Sequence, residues 1–204
     1  MKIISFHEQP LEERCLELSG SRIHSIAFSG EDSVVYRDIK TGDAIHVYHS
    51  NIDFSSARRY ARCLNEVASS LDAHPYIEEI TFQGMRYMVE VRVNPVEEVG
   101  EKLFEIGSDK NKRAYTISRF IEAPSLCWPN RNNEKQLPAV ASQFNIQFYD
   151  RVEEWMESHS GIQGIDINPV NTKFVYYEKE QKILLIITDI AKSIGNIEML
   201  NENR

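Results

Sequence analysis

The chain has 204 residues, 42% of them apolar, and a formal net charge of −8. That length suits one domain or two small lobes with a real core, and the acidic balance excludes nucleic acid or an anionic membrane as the default partner. No apolar run approaches the roughly 20 residues a membrane span needs, and polar residues follow Phe6 too soon for a secretory signal, so a cytoplasmic protein, or one delivered by a specialised secretion system, is expected.

In chain order, residues 10–17 predict a short helix ended by Gly20. Three β-rich runs follow at 23–28, 33–39 and 44–48, with Lys40-Thr41-Gly42-Asp43 turning between the last two. Asp53 or Ser55 caps a helix whose stripe is Ala57, Tyr60, Leu64, Val67 and Leu71, and His74-Pro75 stops it. A β-rich stretch at 77–93 folds back at Gln83-Gly84. Asn94, Pro95 and Glu97 read as the N-cap, first-turn proline and capping partner of a further helix, with Val96, Val99, Leu103 and Ile106 as its stripe and Gly107 as its stop. Residues 108–113 form a charged loop and 114–121 a strand, and 123–137 is irregular and marks a lobe boundary. The strongest helix covers 137–158, with Val140, Phe144, Phe148, Val152, Trp155 and Met156 on one face. Two strands, 172–177 and 182–188, flank the charged turn Glu178-Lys179-Glu180-Gln181. Strands, helix, strands, helix and a hairpin make an α+β fold rather than an alternating parallel one, divided at 1–122 and 123–204.

Cys15, Cys63 and Cys127 are too scattered for a disulfide framework or a metal repeat, and the histidines do not stand at metal-ligand spacing. The chemistry lies in two other runs. Gly164-Ile165-Asp166-Ile167-Asn168-Pro169-Val170-Asn171 has an Asp followed five residues on by an Asn, and Ile186-Ile187-Thr188-Asp189-Ile190-Ala191 ends an apolar strand on an Asp. Kinase-type phosphoryl transfer needs one carboxylate beside the acceptor hydroxyl and an Asn–Asp pair that holds Mg²⁺ against the nucleotide phosphates.

These motifs, in this order, resemble the protein-kinase-like superfamily reduced to a minimum, as in small bacterial effector kinases. The resemblance spans residues 22–194. It implies a bilobal fold, with an antiparallel N-lobe sheet and helix and a reduced C-lobe of one long helix plus a β-hairpin. It also implies ATP and Mg²⁺ as cofactors, Asp166 as base, and Asn171 and Asp189 as metal ligands. Ser29-Gly30-Glu31-Asp32 resembles the phosphate loop, keeping only Gly30 of the usual three glycines and adding two carboxylates that repel phosphate. His74-Pro75-Tyr76-Ile77 is similar to the segment that often follows the regulatory helix. Residues 115–126 resemble the hinge strand, which puts Ser118 at the gate of the adenine pocket and turns the backbone of Phe120 and Ile121 toward the base.

The departures are as informative. Ala44-Ile45-His46-Val47 stands where the family reads Ala-Ile-Lys-Val, so His46 takes the place of a permanent cation, and imidazole is mostly neutral at pH 7 unless a phosphate recruits its charge. Glu66 is at nearly the right distance to be the helix partner, but the wheel sets it opposite the Leu64–Val67–Leu71 side, as a solvated charge. Arg37 shares a strand face with Val35 and is the alternative cation. Gly164-Ile165 replaces the usual His-Arg, and only 15 residues follow Asp189, too few for an activation segment. Three readings stay open. One is an ATP–Mg²⁺ phosphotransferase acting on a hydroxyl of a protein or small molecule, favoured by Asp166, Asn171 and Asp189. Another is a pseudokinase that binds protein or nucleotide, favoured by the lost Lys and glycines. The last is an unrelated α+β domain.

Overall fold

The structure, a computed structural model, describes residues 15–18, 21–24, 28–29, 32–38, 41–106, 109–126, 137–191, 194 and 197–199. It is α+β and divides into two compact units, one of Met1–Arg62, Val96–Phe120 and Ser193–Gly195, the other of Cys63–Pro95, Ile121–Lys192 and Asn196–Arg204.

In the first unit, β1 (Cys15–Leu18) pairs antiparallel with β2 (Ser21–His24). The helix expected over 10–17 is therefore a strand from Cys15 onward, and residues 10–14 lie outside the described ones. Leu16 and Leu18 flank Glu17 with the period of two that a strand needs, and Leu16 stands opposite Ile23. A five-stranded antiparallel sheet follows, in the order β3 (Phe28–Ser29), β4 (Ser33–Arg37), β5 (Asp43–Tyr48), β9 (Asp109–Arg119), β8 (Val96–Ile106). Its register sends Val34, Tyr36, Ile45, Val47, Tyr115, Ile117 and Phe104 to one face, where they form a core with Tyr36, Ile45, Val47 and Phe104 fully buried.

β8 corrects the helix expected after Asn94-Pro95, and β9 begins inside the expected charged loop. The helical stripe required Leu103 inside, yet Leu103 is 53% exposed and Phe104 only 1%. Pairing 11-residue strands face to face buries the alternate positions and outweighs the local capping signal. Of the charges of the expected loop, Lys112 becomes a cross-strand partner of Glu101.

Helix α1 (Phe54–Ala73) starts where Asp53 Oδ1 accepts the Ser56 N–H (2.7 Å). Its stripe Ala57, Tyr60, Leu64, Val67 and Leu71 is buried as the spacing requires.

In the second unit, β6 (Tyr76–Phe82) and β7 (Met85–Val93) form a hairpin closed by Gln83 and Gly84, both at positive φ (51° and 79°), the geometry that matches strand twist. That hairpin joins the C-terminal hairpin of β11 (Thr172–Tyr177) and β12 (Lys182–Ile187) in one four-stranded sheet ordered β11-β12-β7-β6, with β12 and β7 parallel. Helix α2 (Ile146–Ser160) sets Phe144 and Phe148 edge-on to Phe174 and Tyr76 of this sheet, with ring centroids 6.0 and 6.2 Å apart. The helix expected from residue 137 is broken: 139–143 is a 3₁₀ turn, and Asn145 Oδ1 accepts the Phe148 N–H (3.1 Å) as the true N-cap. A short pair, β10 (Ile162–Gln163) with β13 (Glu198–Met199), completes the unit.

Gly100 sits on edge strand β8 opposite Tyr115, whose ring covers it. A Cβ built there falls 2.5 Å from the Tyr115 Oη, and that ring is held by its hydrogen bond to Glu98 (2.6 Å) and by the edge of Phe104. Gly100→Ala is therefore expected to destabilise the protein by about 1–3 kcal/mol, the usual cost of overpacking, read as a lower urea midpoint at unchanged m-value.

Candidate functional site

Asp166, Asn171 and Asp189 belong to the second unit, and backbone hydrogen bonds draw their segments side by side. The Asp166 N–H donates to the Ile190 carbonyl (2.9 Å), and the Asn171 carbonyl accepts both the Thr188 N–H (2.8 Å) and the Thr188 hydroxyl (2.9 Å). Asn168 caps the 3₁₀ turn Pro169–Asn171 by accepting the Asn171 N–H on its Oδ1 (3.0 Å), with proline at the first position. The Asn171 backbone is thus committed on both sides. Asp189 accepts the Ala191 N–H on Oδ1 (3.1 Å), a local turn that fixes the chain leaving β12.

Two residues unassigned by the sequence reading hold the segment on both sides of Asp166. Glu157 Oε1 accepts the N–H groups of Gly164 (2.8 Å) and Ile165 (3.2 Å), and Glu153 Oε1 accepts that of Ile167 (2.6 Å). Gly164 adopts φ +76°, which turns two consecutive N–H groups toward one carboxylate. Burial pushes the Glu153 carboxyl above its ordinary range; the Ile167 N–H counters that, and the charges of Asp166, Asp150 and Glu157 add to the rise. The signal for these residues lies in the loop rather than the helix. Ile165 and Ile167 are buried, so backbone donors between buried side chains need acceptors, and acidic residues four apart on a helix facing it can supply them.

The first unit carries Arg37, His46 and Ser118. Arg37 pairs with Ala44, which pairs with Ser118, and His46 lies between Val35 and Thr116, so these side chains share the sheet face opposite the apolar core. That face is polar but enclosed: Thr116 and Ser118 are buried, and the Tyr48 hydroxyl bonds the Thr116 hydroxyl at 3.1 Å. Burial lowers the His46 imidazole to about 4, although the residue keeps some exposed surface. It is neutral at pH 7. The Arg37 guanidinium lies over the Phe120 ring, 4.5 Å from its centroid.

Of the expected hinge backbone, the Phe120 N–H already donates to the Gly42 carbonyl (3.1 Å), and the Ile121 carbonyl accepts the Ala123 N–H (3.0 Å). The Phe120 N–H is thus committed within its own unit. Asp32 spends Oδ2 on the Ile194 N–H (2.9 Å). Glu66 is exposed, as the helical wheel requires. Gly30 lies outside the described residues.

Asp166, Asn171 and Asp189 offer hard oxygen donors, of the kind Mg²⁺ takes together with phosphate oxygens and water. The donor chemistry fits that metal, while neutral His46 fits a phosphate poorly. Among the described residues, no group of three or more His, Cys, Asp or Glu side chains gathers at metal-binding spacing, and no helix is long and apolar enough to cross a membrane. A separate open groove of about 700 Å³ lies on another flank of α2, lined by Tyr76, Ile77, Glu78, Arg151, Glu154 and Trp155 among others. Compared with known proteins, the sequence matches no family model and no curated protein.

A histidine held neutral by burial binds protons in the unfolded chain, near pH 6.5, before it does so in the folded one, near 4. Its contribution is full above about 6.5 and is lost as the pH falls toward 4. Urea unfolding at pH 7.5 and 4.5 should show wild type losing about 1–3 kcal/mol more than His46→Gln over that interval, and the His46 ring protons should not titrate between pH 8 and 5.5.

Proposed function

We propose that this chain is a minimal kinase-like phosphotransferase, moving a phosphoryl group from ATP–Mg²⁺ to a hydroxyl acceptor on a protein or small molecule. The observation that carries the reading is the backbone pairing of residues 166–171 with 188–190, which brings an Asp–Asn segment and a strand-end Asp into one structural element. This chemistry asks for those residue types from two such segments. The strands that resemble the phosphate hairpin, the Lys-bearing strand and the hinge strand also lie in one antiparallel sheet, as β4, β5 and β9 in that order.

Bound ATP–Mg²⁺ supplies the transferable phosphoryl group and neutralises its charge. Asp166 would accept a hydrogen bond from the acceptor hydroxyl, orient its oxygen for in-line attack and take its proton as that oxygen bonds to the γ-phosphorus and the bond from that phosphorus to the bridging oxygen breaks, releasing ADP. Asn171 and Asp189 would hold the metal through oxygen. By the resemblance alone, His46, or Arg37 in its place, would serve the phosphates and Ser118 the base. The reading carries with it a compartment that supplies ATP, the cytoplasm or that of a host reached by specialised secretion.

A second reading, a pseudokinase that binds protein or nucleotide without transfer, is favoured by the neutral His46 and the exposed Glu66.

Thermal unfolding and transfer of labelled phosphate separate the two. A hundredfold excess of ATP–Mg²⁺ over its Kd should raise the wild-type Tm by about 5–10 °C, and Asp189→Ala should abolish the metal-dependent part. Asp166→Ala should keep the Tm rise while transfer drops by at least about 100-fold. A Tm rise without wild-type transfer selects the binding module; no rise in wild type removes ATP–Mg²⁺ from both readings.

A further inference from the structure

We infer that Glu153 and Glu157 of α2 are positioning residues, which set Asp166 in place by gripping the backbone on either side of it. The inference rests on the phosphotransferase reading only for its consequence on the reaction. The grip itself is a property of the fold.

The segment 164–167 runs between two short elements and has little ladder of its own. Its N–H groups nevertheless all have acceptors. Those of Gly164 and Ile165 go to Glu157, that of Asp166 to the Ile190 carbonyl, and that of Ile167 to Glu153. Asp166 is therefore bracketed, with carboxylate-held peptides immediately before and after it and a strand-end carbonyl on its own N–H. Hydrogen bonds to ionised acceptors are shorter and stronger than neutral ones, and the 2.6 Å contact from Ile167 to Glu153 is of that kind.

The helix explains why these two residues and not their neighbours do this. At about 3.6 residues per turn, Asp150, Glu153 and Glu157 share one flank of α2, while Phe148, Val152 and Met156 point into the core and Arg151, Glu154 and Trp155 line the groove. The buried side chains of Ile165 and Ile167 press the loop toward the same unit from its other side. An exposed surface charge could be replaced without effect. Glu153 and Glu157 cannot, because three backbone donors lose their acceptors with them.

Amide hydrogen exchange on the full chain tests the grip without any ligand. In Glu157→Ala, the amides of Gly164 and Ile165 should exchange about tenfold faster, the change expected for loss of a hydrogen bond to a charged group. In Glu153→Ala the same should hold at Ile167, with β11 and β12 amides unchanged in both. Glu153→Gln and Glu157→Gln keep a carbonyl acceptor while removing the charge, and should restore part of the protection. Unchanged exchange at these amides in the Ala variants overturns the inference, as does an acceleration spread evenly over β11 and β12, or a Gln variant no better than Ala. Where wild type transfers phosphate, the Ala variants should lower kcat about tenfold or more with the ATP–Mg²⁺ Kd unchanged. A wild type that transfers nothing removes the phosphotransferase reading, while the exchange pattern still decides the grip.

Discussion

β12 is the element on which the second unit is built. Its residues hydrogen-bond on both sides, antiparallel to β11 and parallel to β7, and its burial alternates so that Ile183, Leu185 and Ile187 are almost wholly enclosed. Parallel pairing cannot come from a tight turn, so a hairpin from the middle of the chain must return to a strand nearly 90 residues later. This long-range pairing produces the inner face that α2 covers. It also fixes where β12 ends, and its end carries Thr188 and Asp189 against residues 166–171. The candidate site depends on the completion of this sheet more than on any contact within the site.

Elements whose signal is local were legible in the sequence. The α1 stripe, the Gln83-Gly84 turn and the C-terminal hairpin each announce themselves within a few residues, through helical spacing, a positive-φ turn pair or alternation. The strand β8 was not, because Asn94-Pro95-Val96-Glu97 is a good helix start when read alone, and only β9 makes the strand better. The break before Ile146 was missed for a similar reason: Phe144 continues the apolar stripe, although Asn145 supplies a cap. At the site, Asp166, Asn171 and Asp189 could be singled out from residue type and spacing, whereas Glu153 and Glu157 could not. Their role is set by donors on a loop 7 to 14 residues away, and helix periodicity shows only that they are off the core face.

The sheet of the first unit has two buried faces of different character. One is closed by aromatic and β-branched side chains, and the other holds Thr116, Ser118 and His46 beside the Tyr48 hydroxyl. A Lys at position 46 would put a permanent charge into this enclosed face, where desolvation penalises it unless an anion is always close. Imidazole avoids that cost by staying neutral and retains the capacity to take up a proton if negative charge arrives.

The same economy of charge operates around Asp166. Asp150, Glu153, Glu157 and Asp166 would repel one another in a medium of low polarity, and burial already lifts the Glu153 carboxyl. Backbone N–H dipoles aimed at the carboxylates oppose this repulsion: three of them serve Glu153 and Glu157, and at Glu153 the Ile167 N–H offsets part of the rise that burial causes. Helix and loop therefore stabilise each other. The N–H groups of Ile165 and Ile167 need the acids because their own buried side chains keep them from water, and the acids need the donors because they stand half-buried beside like charge. The two acids thus hold the backbone on both sides of Asp166.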